Sequence, residues 1–203
     1  GGQLSDQRAI ELAARRVLEI LETRLSHAQL GLREPPVELA IHIEILRARP
    51  DVQAMIHSHL ELAFLFTMMD GVALQPMRAR AVRWQSGIPT HPDPSHIKLP
   101  EQGAALAATL GPHHAVLIRS HGVVLTAESL PALLVDGIHF EENARAQLQV
   151  LNAGQKPLAL TDAEMDQINR HEMREFHVGK LWKYYVHKAR AASALPADWN
   201  AEC

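Results

Sequence analysis

Thirteen of the 203 residues are histidine, and their placement decides whether they can do chemistry. The first pair stands in Ile56-His57-Ser58-His59. On a strand, residues two apart point to the same face, so the two imidazoles can share one metal ion at about 2.0–2.1 Å each. The same pair can instead cap the following element and face solvent. A third candidate is His121, in Arg119-Ser120-His121-Gly122 directly after the apolar run HAVLI. A histidine at a strand's end, followed by glycine, stands where α/β folds commonly bind ligands. Three imidazoles with an open position are a known catalytic metal arrangement. Glu38 lies near the start of a predicted helix, after Pro35 and Pro36; the helix dipole favours a carboxylate there without any function. His42, four residues on, can pair with it on the metal or simply on the helix face.

Other polar residues have plainer readings. His113 and His114 precede a strand and read as turn residues. His139, Glu141 and Glu142 fall within a long helix and read as exposed or interfacial. His91 and His96 lie in a proline-rich loop and carry no assignment. Trp182, Tyr185 and Lys188 stand on adjacent turns of LWKYYVHK. That face reads as packing, or as cover for a neighbouring subunit's site.

The elements that must position these residues follow from periodicity and capping. Residues 5–25 carry an apolar stripe at helical spacing behind a Ser5 or Asp6 cap. A glycine- and proline-broken connection leads to a helix over 37–49, ended by Pro50. VQAMIHSH reads as a buried strand of about five residues, running into a helix over 59–69. VALQ (72–75) and ARAVRW (79–84) read as strands. GIPTHPDPSHIKLP, with four prolines, reads as a loop. Residues 100–110 form a helix begun by Pro100. HAVLIRS and VVLT are strands, and 128–151 is a long helix. One or two carboxy-terminal helices follow, with Thr161 and Glu164 as a capping box. Helices alternating with strands on short connections predict a single three-layer α/β domain over 1–203.

Composition removes several function classes. Hydrophobic residues make up 47% and charged residues 21%, which suits a folded globular chain. The net charge is −3 and no Lys/Arg-rich run exists, so neither a nucleic-acid nor an anionic-membrane surface is expected. The lone cysteine, Cys203, rules out a disulfide within the chain and suggests a reducing cytoplasm. No apolar run reaches bilayer-spanning length, and GGQLSDQRAIELAARR lacks a signal-peptide core.

The order and spacing of Glu38, His42, Arg49-Pro50-Asp51-Val52, His57/His59, His121-Gly122 and the glutamate-rich IHFEENARAQL resemble the class II aldolase/adducin family over roughly residues 35–150. The resemblance implies a mixed central sheet flanked by helices, with His57, His59 and His121 as ligands of one divalent ion. It makes Glu38 the acid/base carboxylate. It further implies a homotetramer with active sites between subunits, to which the segment from about 161 to 203 contributes. Within the family, GIPTHPDPSHI, HAVLIRSHGVVL and FEENARAQLQVL look closest to the metal-dependent decarboxylases of hydroxylated aromatic or heteroaromatic dicarboxylates. Where the sugar-phosphate aldolases and epimerases carry a Gly/Ser/Thr/Asn-rich phosphate loop, this sequence has only SHAQLGLREPP between Leu25 and Glu38: either the phosphate-binding segment is lost, which argues against a sugar phosphate, or a stretch is not included in this sequence, which leaves that substrate open.

Decarboxylation and aldol cleavage share one physical problem, an electron pair left on carbon. A divalent ion on an adjacent substrate oxygen takes up that charge as a Lewis acid. Three imidazoles suit Zn²⁺, Mn²⁺, Fe²⁺ or Co²⁺, and an oxygen-rich chelating substrate puts Mn²⁺ or Zn²⁺ first. Glu38 returns a proton, best done with its pKa raised by a partly apolar site. Arg78, Arg80 or Arg83 can hold a second substrate carboxylate by a bidentate contact, or remain solvated charges, and Tyr185 is a further substrate candidate. The alternatives are an aldolase or epimerase on a sugar phosphate and a non-catalytic adducin-like scaffold, against which the full histidine set argues.

Overall fold

The strand that carries His57 forms over Ala54–Ser58 (β1), but of its five residues only Ala54 is buried and Ile56 is exposed, so the expected burial does not hold. Its surroundings are given by a computed structural model that describes residues 37–194. The predicted helix over 5–25, the connection after it, and the end of the 161–203 segment lie outside the described residues. Two compact units are present, residues 37–51 with 95–108, and residues 52–94 with 109–194.

In the first unit, α1 spans Leu39–Ala48, with Glu38 at its N-cap and Ile41, Glu44 and Ile45 buried. It ends at the predicted proline, one residue after Arg49. The next helix, α2, spans Pro100–Leu110 as the sequence predicts. Gly103 of α2 meets α1 at backbone distance: a Cβ there would stand 2.5 Å from the Ala40 carbonyl oxygen. Any larger residue would force the two segments apart.

The second unit is built on a mixed sheet. Besides β1 it contains Thr90–His91 (β2), Ala115–Ile118 (β3) and Gly122–Ala127 (β4), in the order β1-β4-β3-β2. β4 runs antiparallel to both β1 and β3, and β2 runs parallel to β3. Every residue of β3 and β4 is buried. That matches their unbroken apolar runs, because strands covered on both faces show no alternation. The long helix α3, Leu130–Asn152, packs on β1 and β4. Ser129 caps it by accepting from the Ala132 N–H. Trp84 meets Phe140 of α3 edge to face at 4.8 Å. Asp162–His171 (α4) begins with the predicted capping box of Thr161 and Glu164. Arg174–Ala191 (α5) packs on α3.

Three expectations between β1 and β2 fail. The helix expected over 59–69 is only a 3-10 turn, Phe64–Met68. The Glu141 carboxylate of α3 accepts the N–H groups of Leu62 and Ala63, at 2.9 and 3.2 Å. Thr67 donates its hydroxyl back to the Phe64 carbonyl. VALQ is not a ladder strand either. Two buried amides of α3, one turn apart, stand in for a partner strand. Gln147 accepts from the Gln75 N–H and donates to the Ala73 carbonyl. Asn143 accepts from the Met77 N–H and donates to the Gln75 carbonyl. ARAVRW forms a 3-10 helix, Ala79–Trp84, with all three of its region's arginines drawn to carboxylates. Backbone groups satisfied by distant side chains need no regular ladder. The proline-rich loop behaves as expected apart from the two residues of β2.

Candidate metal centre

Register brings the histidines together. In the β1–β4 pair, His57 lies opposite Val124 and Ser58 opposite Val123. The hairpin turn between β3 and β4 therefore hangs beside the end of β1, and its last residue is His121. The ring centroids of His57, His59 and His121 form a near-equilateral triangle, 5.2, 5.1 and 5.1 Å on a side. Each ring offers one nitrogen, and the three nitrogens lie within 4.8 Å of one another. Ligand nitrogens around a tetrahedral ion sit about 3.3 Å apart at the usual bond lengths, so side-chain adjustment alone closes the set.

The tautomer of His57 follows from its partner. Its Nδ1 lies 3.2 Å from the Val123 carbonyl oxygen. A carbonyl only accepts, so Nδ1 carries the proton and the Nε2 lone pair is the one available to a metal. An imidazole held this way by a backbone carbonyl is the usual outer support of a metal-binding histidine. Three imidazoles with their ring nitrogens this close together are a donor set that fits a divalent transition ion.

Gly122 makes this packing possible. A Cβ there would lie 2.7 Å from the Ser58 carbonyl oxygen, 2.9 Å from His59 Cδ2 and 3.1 Å from His57 Cε1. Its backbone angle is one any residue can adopt, so the requirement is for space, not for conformational freedom.

Glu38 belongs to the first unit. It has no side-chain cap role on α1. Its Oε1 accepts the Ile97 N–H at 3.3 Å and lies 3.5 Å from His96 Nδ1. Burial lowers the pKa of His42, against the opposing pull of the Glu38 charge. That leaves His42 neutral under ordinary conditions.

The arginines hold carboxylates of the chain itself. Arg78 pairs with Glu142 at 2.8 Å and Arg80 with Glu172 at 2.6 Å. Arg83 reaches Glu128 at 3.0 Å and Asp136 at 3.2 Å. Arg174, which the sequence did not single out, binds the same two acids at 2.6 and 2.7 Å. Burial would raise the Glu128 carboxyl. The hydrogen bond from Arg174 and the charges of Arg174 and Arg83 outweigh burial and hold it at about 2. Beside this cluster, His139 and His177 stack with centroids 5.3 Å apart, and burial lowers both pKa values. Tyr185 is half-buried against Tyr184, and lines a shallow apolar groove with Leu134, Trp182 and Val186. His91 is buried, with Nδ1 at 3.0 Å from Thr109 Oγ1. His113 approaches Ser86 Oγ. Neither belongs to the histidine triangle.

Sequence reasoning missed the roles of Glu141, Asn143 and Gln147. A signal existed for the two amides: they stand four apart on the otherwise apolar face of Phe140 and Ala144.

Comparison with known proteins agrees with this architecture. The model of the "Class II Aldolase and Adducin N-terminal domain" family matches residues 5–148. The chain is 28% identical over 163 residues to 3,4-dihydroxyphthalate decarboxylase of Rhodococcus jostii (strain RHA1), covering 78% of this chain and 65% of that protein. It is 36% identical over 93 residues to Decarboxylase NovR of Streptomyces niveus, covering 45% of this chain and 34% of that one. Among solved structures, L-fuculose 1-phosphate aldolase from Glaciozyma antarctica PI12 superposes with a TM-score of 0.63 at 18% identity, over 76% of this chain and 60% of that one. The match thus spans a little under two thirds of the length of the Rhodococcus decarboxylase and of the Glaciozyma aldolase, and about a third of NovR.

Proposed function

The chain belongs to the class II aldolase and adducin family, and on that premise we propose that it is a metal-dependent lyase removing carbon dioxide from a hydroxylated aromatic or heteroaromatic carboxylate. The observation that carries the reading is the triangle of His57, His59 and His121, which the missing side chain of Gly122 allows to close. Relatives named as decarboxylases support the choice of reaction. His57, His59 and His121 would hold one divalent ion, Mn²⁺ or Zn²⁺ before Fe²⁺ or Co²⁺. When bound, such an ion supplies Lewis acidity for the charge left as a carbon–carbon bond breaks.

The chain's own residues have separable tasks in this reading. Val123, through its carbonyl, fixes the His57 tautomer and so the direction of its lone pair. Glu38 takes the proton-transfer role, on the resemblance of the motif that holds it. An arginine that binds a substrate carboxylate must exchange an internal partner for it. Arg78 does so at least cost, because it and Glu142 are both about half exposed. Arg83, far more buried and shared between two acids, suits structure better. Tyr185 remains a substrate candidate through its apolar groove. One domain, a cytoplasmic setting and a homotetramer complete the proposal. Among the described residues no helix is long and apolar enough to cross a membrane.

The test is a carbon dioxide release screen on ortho-hydroxylated aromatic dicarboxylates, 3,4-dihydroxyphthalate among them, with metal-replete and chelator-treated protein. Release that disappears on chelation and returns with Mn²⁺ or Zn²⁺ supports the proposal. Metal-replete protein that is inert on these acids yet cleaves a sugar phosphate would sink it in favour of an aldolase. Absence of any bound ion would favour a scaffold.

A further inference from the structure

We propose that Thr67 is a positioning residue for His121: its hydroxyl holds Ser120 in the left-handed conformation from which the next side chain is aimed at His57 and His59. The inference rests on the reading of the three histidines as metal ligands.

Ser120 has φ of 54°. A non-glycine residue in that region is strained and persists only where its surroundings impose it. Ser120 and Arg119 are exposed, so burial does not impose it. Hydrogen bonds do. The His121 N–H closes the turn on the Ile118 carbonyl at 3.1 Å. The Ser120 N–H donates to Thr67 Oγ1 at 2.8 Å. Thr67 in turn donates its one hydroxyl proton to the Phe64 carbonyl at 2.7 Å. With that proton committed, the oxygen faces Ser120 purely as an acceptor, which is what a backbone N–H requires. Both partners are main-chain groups, so the hydroxyl cannot swing without losing one of them.

Thr67 sits on the 3-10 turn Phe64–Met68, which packs against β3. This turn therefore ties the hairpin from one side, while the space at Gly122 lets it close on β1 from the other. His121 lies between these two restraints. Because Ser120 is exposed, water can take its N–H once Thr67 is changed. The loss then appears in ligand geometry more than in folding stability, and that contrast separates positioning from plain scaffolding.

The experiment uses the 203-residue chain, stripped of metal, in wild-type form and as Thr67→Val, Thr67→Ser, Ser120→Gly and the Thr67→Val/Ser120→Gly double variant. Dissociation constants for Zn²⁺ are measured by competition with a chromophoric chelator. The visible absorption of the Co²⁺-loaded protein reports ligand number and geometry. Thermal melting of the metal-free forms reports stability. Thr67→Val should weaken Zn²⁺ binding about 10- to 100-fold, change the Co²⁺ spectrum, and leave the metal-free melting temperature within a few degrees. Thr67→Ser should restore wild-type binding. The double variant should recover part of the loss, since glycine adopts the left-handed region freely. Thr67→Val binding within about threefold of wild type, with an unchanged Co²⁺ spectrum, overturns the inference. So does a Thr67→Ser variant as weak as Thr67→Val. If Thr67→Val fails to fold, Thr67→Ala, which drops the hydroxyl without adding a branch, is read by the same two criteria. Wild-type chain that binds no ion overturns the ligand reading itself, a result distinct from equal binding by wild type and variant.

Discussion

Replacing Gly122 by alanine adds one carbon where the structure has no room for it. The new Cβ would sit 2.7 Å from a backbone oxygen of β1, 2.9 Å from His59 Cδ2 and 3.1 Å from His57 Cε1. Carbon pairs prefer about 3.5–4.0 Å, so relief requires shifts of roughly 0.5–1 Å. Ser58 cannot yield easily, because it is paired to Val123 in the ladder. The two imidazoles must therefore rotate, or β4 must lean away from β1. Overpacking of this kind costs about 1–3 kcal/mol of stability. Displacing two of three ligands should weaken metal binding about 100-fold, roughly 2.7 kcal/mol. Denaturant unfolding of the metal-free protein measures the first quantity, and chelator competition with Zn²⁺ the second. Gly122→Ala protein with wild-type stability and wild-type affinity would refute the claim that the missing side chain is what allows the histidines to converge.

Asn143→Ala removes two hydrogen bonds to the 73–77 backbone from a fully buried site; it should cost about 2–3 kcal/mol in urea unfolding, and a cost below half a kcal/mol would mean the amide does not replace a strand partner. Arg174→Ala leaves Asp136, 3% exposed, with Arg83 alone; a loss of about 3 kcal/mol is expected, and an unchanged denaturation midpoint would contradict it. The pH dependence of Glu128 has a definite sign. Its folded pKa, about 2, lies below the ordinary 4.5, so its contribution is fully present above about pH 4.5 and is lost as pH falls toward 2. Half of this side chain is exposed, so screening limits the contribution to about 1 kcal/mol. The stability gap between wild type and Glu128→Gln should accordingly vanish between pH 5 and 2, and a gap constant over that range would refute the assignment.

Local signals carried β1, β3, β4, α2 and the start of α4, because each depends on neighbours within a few residues. Unbroken apolar runs mark strands covered on both faces. Pro100 and the Thr161/Glu164 box mark helix starts. The closeness of His57 to His59 was legible from their spacing, although β1 ends at Ser58 and His59 follows the strand. Residues 59–84 were not legible. Backbone groups of Leu62, Ala63, Gln75 and Met77 are held by Glu141, Asn143 and Gln147, some 66 to 79 positions away in the chain, and no local pattern encodes such partners. Arg78, Arg80 and Arg83 looked like free charges for the same reason, and the structure shows each with an internal acid.

The sequence by itself determined that three histidines stand at the ends of two strands with a glycine behind the last. Only the tertiary structure decided that they meet. Antiparallel register sets Val123 against Ser58, the missing Cβ of Gly122 lets the strands close, and the strained turn at Ser120 delivers the third ring. Imidazole chemistry is a property of residue type, but a common focus about 5 Å across is a property of strand pairing and packing.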